Sequence, residues 1–236
     1  VSRTPLVFRG LQKTTLIDYP DKIASTLFLD NCNFRCPFCQ NPTLVLRQEQ
    51  TTITEQQIIE FLKQRKKFLD GVCITGGEPT MHVELPAFAK RVKELGLLVK
   101  LDTNGSNPDM LKQMIDEGLV DYVAMDIKAP IERYDYVAKV TVNKEAILES
   151  VRIIRRSAPA YEFRTTVVPT LLREQDLLAI GRWLRGSKFY AIQQFQNDIP
   201  LLDPEFQQVK PYSREELLKF AELLKPYFQR IEVRGV

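Results

Sequence analysis

Histidine occurs once in the 236 residues, as His82, and cysteine only four times. That scarcity leaves a structural zinc site short of donors. Three cysteines stand together, and only His82 and Cys73, neither at zinc-knuckle spacing, remain as a fourth ligand. Four cysteines in a chain long enough to bury its own core, with no signal peptide expected, argue against a disulfide framework. Free thiols lead to the expectation of a reducing cytoplasm. No apolar run is long enough to span a bilayer, so no membrane association is expected. The formal net charge of +3 is slight and makes no demand for nucleic acid. The basic run Lys63, Arg65, Lys66 and Lys67 reads as the solvated side of a helix. Internal repeats and low-complexity segments are also missing, and 44% hydrophobic with 27% charged residues is ordinary for a globular protein.

Against that background one short run stands out, CNFRCPFCQNP, which places Cys32, Cys36 and Cys39 at C-x3-C-x2-C spacing. Eight residues reach ~26 Å when fully extended, enough to wrap a polynuclear centre. Three thiolates on a cube of four irons leave one iron open, as a catalytic centre requires and a structural one avoids. Spacing alone favours such a cluster over zinc or unligated thiols, without eliminating either.

Apolar, β-branched runs alternate with helical patterns along the chain. Residues 25–29, 71–75, 97–103, 121–127, 161–168, 189–195 and 230–233 read as strands. Residues 53–69, 84–96, 108–118, 144–157, 173–186 and 213–228 read as helices. Thr54, Asn107 and Ser213 are expected caps, and Gly96, Gly118 and Gly186 expected helix stops. Strand and helix repeated about six times specify an α/β fold with parallel strands, because each crossover returns the chain beside its predecessor. The repeat falls short of eight, so an open, partial (β/α)6 barrel is expected. Residues 1–236 then form a single domain, with 1–22 an N-terminal extension, read as a hairpin, and 197–236 a C-terminal edge. The polar, proline-bearing stretch 197–213 is the one long irregular connection, and its length fits a functional loop or a structural cover equally well.

Ligands of such sheets gather beyond the carboxyl ends of the strands, and the polar motifs fall there. Gly76 and Gly77 allow a close approach to the backbone. Asp102 and Thr103 end one strand, Asp126 and Lys128 the next, a set suited to a zwitterion or a hard cation. Arg164 and Thr166 share a face of their strand; if buried, Arg164 needs an acidic partner, with Glu78 or Asp126 as candidates. Gln194 and Gln196 likewise share a face. Cys73 reads as a small core hydrophobe, and His82 as a surface or capping residue.

The cysteine loop resembles the signature of the radical S-adenosylmethionine enzymes. GGEP (76–79), DTNG (102–105), MDIK (125–128), RTTVVPT (164–170) and QQFQ (193–196) follow in that family's order. The opening stretch GLQKTTLIDYPDK is similar to the activating proteins of glycyl-radical enzymes, most of all those of anaerobic ribonucleoside-triphosphate reductase. Asn31 stands where the family commonly has glycine, and asparagine tolerates the same left-handed turn. The resemblance implies a 4Fe-4S cluster on Cys32, Cys36 and Cys39, with S-adenosylmethionine chelating the open iron and cleaved to a 5'-deoxyadenosyl radical. It implies cofactor contacts by Phe38, Gly76, Gly77, Glu78, Asp102, Thr103, Asp126, Lys128, Arg164, Thr166, Gln194 and Gln196, and no catalytic side chain beyond cluster and cofactor. Gly76 and Gly77 match the site of the methionine amino group, and Lys128 that of a carboxylate partner. The ribose contact at Gln196 is an amide where pyruvate formate-lyase relatives carry a histidine. A monovalent cation on Asp102, Thr103 and Asp126, a flavodoxin-like electron donor and a large glycyl-radical enzyme as protein substrate are implied as well. An activase of another glycyl-radical enzyme, a barrel of this kind acting on a small molecule, and a non-catalytic metal protein are the rival readings.

Overall fold

The computed structural model describes residues 5–48 and 51–236, so the first four residues of the N-terminal extension lie outside the described residues. Its strands are β1 (Val7–Phe8), β2 (Gly10–Thr15), β3 (Ala24–Leu29), β4 (Ile53–Thr54), β5 (Gly71–Gly76), β6 (Leu98–Thr103), β7 (Tyr122–Asp126), β8 (Tyr161–Val167), β9 (Ser187–Gln194) and β10 (Phe228–Arg234). Its helices are α1 (Pro42–Val45), α2 (Glu55–Arg65), α3 (Leu85–Glu94), α4 (Pro108–Asp116), α5 (Tyr134–Ala138), α6 (Lys144–Ser157), α7 (Glu174–Trp183) and α8 (Arg214–Leu224). Every strand and helix expected from periodicity is present. No helix of the described residues is long and apolar enough to cross a membrane.

The chain divides into two compact units, one of Val1–Asn33, Thr43–Ala124 and Ala146–Ala160, the other of Phe34–Pro42, Met125–Glu145 and Tyr161–Val236. In the first, β3 pairs in parallel with β5 and β5 with β6, while β2 lies antiparallel on β3. β3 and β5 are buried along nearly their whole length, which is why they read as unbroken apolar runs rather than alternating ones. In the second unit β8, β9 and β10 form a parallel run. Neither run closes on itself, and strand β7 begins in the first unit and ends in the second.

The extension is not a hairpin. Only Arg9 separates β1 from β2, too little for a turn, so each strand pairs elsewhere: β1 with β4, β2 with β3. A two-residue ladder such as β1 with β4 has no period to read, and sequence analysis missed it. Capping follows expectation. The side chains of Thr54, Asn107 and Ser213 accept from Gln57 N, Met110 N and Glu216 N, and Gly96 and Gly118 end α3 and α4 at positive φ.

Ser213 forms a reciprocal capping box with Glu216 on α8, which packs against α7 and β10. Ser213→Ala removes one cap bond and is expected to cost about 1 kcal/mol, lowering the melting temperature by about 2–4 °C in a domain of this size. Calorimetry of the two proteins checks this.

Candidate functional site

In the first unit the site is built where β3 gives way to the cysteine loop. Asp30 is fixed from two sides: Arg9 Nε donates to its carboxylate at 2.8 Å, and His82 Nε2 lies 2.9 Å from its backbone oxygen. His82 is thus a tether for the strand end. Asn31 has φ +66°, the left-handed turn expected of it, donates to Leu44 O at 2.9 Å and accepts from Glu78 N at 2.6 Å. Cys32 follows, partly exposed, with Asn104 Nδ2 3.8 Å from its sulfur.

The two glycines of the GGEP loop have a reason that residue type alone did not reveal. Gly76 has φ +118°, and a Cβ there would meet Leu29 O at 2.3 Å; at Gly77 a Cβ would lie 1.9 Å from Asn31 O. The close approach they permit is to the cysteine loop's own backbone, where Gly77 N donates to Leu29 O at 2.8 Å.

Glu78 is 1% exposed. One oxygen accepts from Thr80 N at 3.1 Å, Thr80 Oγ1 at 2.5 Å and Thr103 Oγ1 at 2.7 Å, the other from Asn104 N at 2.6 Å. Burial pushes its pKa up, and these donors offset that only in part, so the carboxyl stands above its usual range. Glu78 therefore joins the loop after β5 to the loop after β6. Thr103 is committed to the same network, its Oγ1 also accepting from Gly105 N at 3.1 Å. Asp102 is paired with the ammonium of Lys100, a side chain the sequence reading passed over. Lys100 is 1% exposed, and its Nζ also lies 3.6 Å from the sulfur of Cys73.

In the second unit Cys36 and Phe38 are buried and Cys39 is partly exposed, with Cys39 N donating to Cys36 O at 3.0 Å. The irregular stretch 197–213 is folded against this loop. Leu202 N donates to Cys39 O and Asp203 N to Pro37 O, both at 3.0 Å. Gln194 Nε2 holds the far end of the stretch through Tyr212 O at 2.7 Å, and Gln196 is exposed beyond β9. Gln194 is accordingly a loop anchor. The bracing backbone had no sequence signal, because any residue except proline can donate it.

Arg164 finds its partner in Asp126 rather than Glu78: its Nε lies 2.8 Å from Asp126 Oδ1, and Lys128 Nζ 3.0 Å from Oδ2. Thr166 lies on the same strand face, half-buried. Burial works to raise Asp126, but Arg164 and Lys128 outweigh it and hold the carboxyl well below its usual range. Burial works to lower Lys128, and Asp126, Cys36 and Cys39 outweigh it, holding the ammonium above its usual range. Cys39 is pushed up by burial, against the Asn41 backbone and Lys128. Arg164 also stands 4.0 Å from Glu162, a buried carboxylate that Arg234 clamps at 3.0 and 2.7 Å. Sequence reading missed that pair, whose members lie 72 positions apart.

None of the four cysteines is in a disulfide. Among the described residues no three Cys, His, Asp or Glu side chains form a ready site for a single metal ion. Lys63, Lys66 and Lys67 stand exposed, while Arg65 reaches back to Thr14 Oγ1 at 3.1 Å.

Comparison with known proteins agrees with this arrangement. Residues 26–180 match the model of the Radical SAM superfamily, and the chain belongs to that superfamily. Membership implies S-adenosylmethionine and a 4Fe-4S cluster as cofactors. The chain is 32% identical over 234 residues to a Methanocaldococcus jannaschii protein named "Putative glycyl-radical enzyme activating enzyme", covering 96% of this chain and 95% of the relative. It is 26% identical over 219 residues to the pyruvate formate-lyase-activating enzyme of Streptococcus mutans, covering 87% and 77%. Among solved structures, a radical SAM methyltransferase from Sphaerobacter thermophilus matches at a TM-score of 0.69 with 16% identity, over 92% of this chain and 67% of that one, which shows the shared fold.

The ion-paired Asp126 gives a signed pH prediction. A carboxyl depressed in the folded state contributes stability in full above its ordinary value of 3.8 and loses it as pH falls below. The stability gap between wild type and Asp126→Asn is expected to be constant from neutral pH down to about 5 and to narrow below about 4. Urea melts across that range measure it.

Proposed function

We propose that this radical SAM enzyme is an activating protein that installs a glycyl radical on a separate large enzyme, by removing a Cα hydrogen from one glycine. The preferred partner is an anaerobic ribonucleoside-triphosphate reductase. The observation that carries the reading is the 32% identity across nearly the whole of both chains to a relative named for glycyl-radical activation, together with the opening stretch GLQKTTLIDYPDK. In this reading the 236 residues act as one catalytic domain in a reducing cytoplasm, with a flavodoxin-like protein as electron donor.

Cys32, Cys36 and Cys39 are the cluster ligands of this reading, and their chemistry fits the group. They are thiols outside any disulfide on one short loop, and the Lys128 ammonium, which interacts with both Cys36 and Cys39, works against the burial that pushes the Cys39 thiol up. When bound, the cluster and S-adenosylmethionine supply one-electron cleavage and a hydrogen-abstracting radical. The protein's own work is positioning. The GGEP loop, pinned by Gly77 and Glu78, presents backbone groups to the methionine amino end. Lys128, oriented by Asp126, is left with positive character toward a carboxylate, and Arg164 on the other side of Asp126 keeps that lysine in place. Phe38, Thr166 and Gln196 complete the contacts proposed for adenine and ribose. Glu78, Thr103 and Gln194 serve by holding the loops, since each is spent on protein partners.

Anaerobic reconstitution with iron and sulfide, followed by dithionite and S-adenosylmethionine, tests the assignment. The expected products are 5'-deoxyadenosine and methionine from the wild type, with a loss of at least about 100-fold in Cys36→Ala, whose open ligand position removes the electron source. Retained cleavage in Cys36→Ala would overturn the ligand assignment. No cleavage by a wild type with a fully assembled cluster would overturn the function.

A further inference from the structure

The resemblance implied a monovalent cation on Asp102, Thr103 and Asp126, and the residues do not fit one. Asp102 already carries the ammonium of Lys100. Thr103 donates its hydroxyl to Glu78 at 2.7 Å and accepts from Gly105 N. Asp126 is bracketed by Arg164 at 2.8 Å and Lys128 at 3.0 Å, two positive charges on one carboxylate. A hard monovalent cation binds through several oxygen donors, and a carboxylate serves it best where its negative charge is not already met by a protein cation. Each of these three groups has already met its requirement within the protein.

Lys100 is the unusual partner. Lysine side chains are almost never fully buried without a counter-charge, and this one, with a side chain only 2% exposed, has its counter-charge in Asp102, at 15%. Residues two apart on a strand share a face, so Lys100 and Asp102 both project from the same side of β6. The ammonium rests among Asp102, the sulfur of Cys73 at 3.6 Å and the ring of Tyr122, 6.0 Å from its centroid. An apolar residue of similar volume would fill the same space without the desolvation cost of a buried charge. What the lysine adds is a positive charge, permanently tethered, at the carboxylate that ends the strand.

We infer that the Lys100 ammonium is a built-in replacement for a monovalent cation: it neutralises and orients Asp102, so that this protein needs no sodium or potassium there. Lys100 is a positioning residue, acting through Asp102. The inference rests on the functional reading only in taking Asp102 as part of the cofactor site, and its test does not use the radical reaction.

The test is thermal unfolding of the cluster-free full chain at constant ionic strength, with choline chloride exchanged for sodium or potassium chloride. Wild type is expected to show the same melting temperature in all three salts. Lys100→Met, which keeps the volume and removes the charge, is expected to gain a saturable, cation-selective rise. At a dissociation constant of ~10 mM, 100 mM cation raises the folding equilibrium ~11-fold, a shift of about 4 °C. Lys100→Met with Asp102→Asn should lose that rise. Equilibrium dialysis with thallium(I) reads the same site directly: none bound by wild type, one per chain by Lys100→Met. Saturable, stoichiometric thallium binding by wild type, or no selective rise in a folded Lys100→Met, would overturn the inference. If Lys100→Met does not fold, Lys100→Gln and the wild-type dialysis decide. Failure of the functional reading appears separately, as no 5'-deoxyadenosine from reconstituted wild type.

Discussion

The contact on which the first unit's functional residues depend is that of the GGEP loop with the backbone just ahead of the first cysteine. Gly77 can lie against Asn31 only because it has no Cβ, and the approach is sealed by two backbone hydrogen bonds, Gly77 N to Leu29 O and Glu78 N to Asn31 O. Glu78 then turns the same loop toward β6, where its buried carboxylate collects Thr103 and the Asn104 amide. One dipeptide and one carboxylate therefore register three strand ends against each other. A carboxylate out of water with several donors is stable only as a complete set, since loss of any donor leaves a desolvated charge. That all-or-none property suits a site whose parts have to be placed before the cofactor arrives.

Charge is handled in closed groups. Asp126 is shared between Arg164 and Lys128; Glu162 is clamped by Arg234, with Glu232 on its outer side; Asp102 is met by Lys100. The second unit's chain of alternating charges runs through β7, β8 and β10, so the C-terminal strand contributes to the position of Arg164 through Glu162. The stretch 197–213 has a comparable role for the backbone. It holds Pro37 and Cys39 through main-chain bonds, which makes it a support for the cysteine loop.

Much of this was legible in the sequence, and the exceptions have a common cause. The strands and helices follow from hydrophobic period, the caps from residue type, and the left-handed Asn31 from the short list of residues that tolerate that region. The need of Arg164 for an acidic partner was legible too; that the partner is Asp126 was not, because it is set by which strand ends lie close together. Lys100 was invisible for a related reason. Inside LLVKLDT a lysine reads as the solvent-facing member of an alternation, and only the fold shows that both faces of β6 are covered. The Glu162–Arg234 pair, the bracing by Leu202 and Asp203, and the ribbon of β1 with β4 are all contacts between distant segments too short to carry a period. The glycines of the GGEP loop were legible as a close approach, but the object approached is the chain itself.

In the proposed reaction a glycine of another protein gives up its Cα hydrogen. That step is tested most directly by presenting the reconstituted enzyme with an anaerobic ribonucleotide reductase grown on α-deuterated glycine, and measuring by mass spectrometry the isotope content of the 5'-deoxyadenosine formed. The account predicts one deuterium per nucleoside together with a glycyl radical signal on the reductase. Unlabelled 5'-deoxyadenosine and no protein radical, from an enzyme that cleaves the cofactor normally, would contradict it.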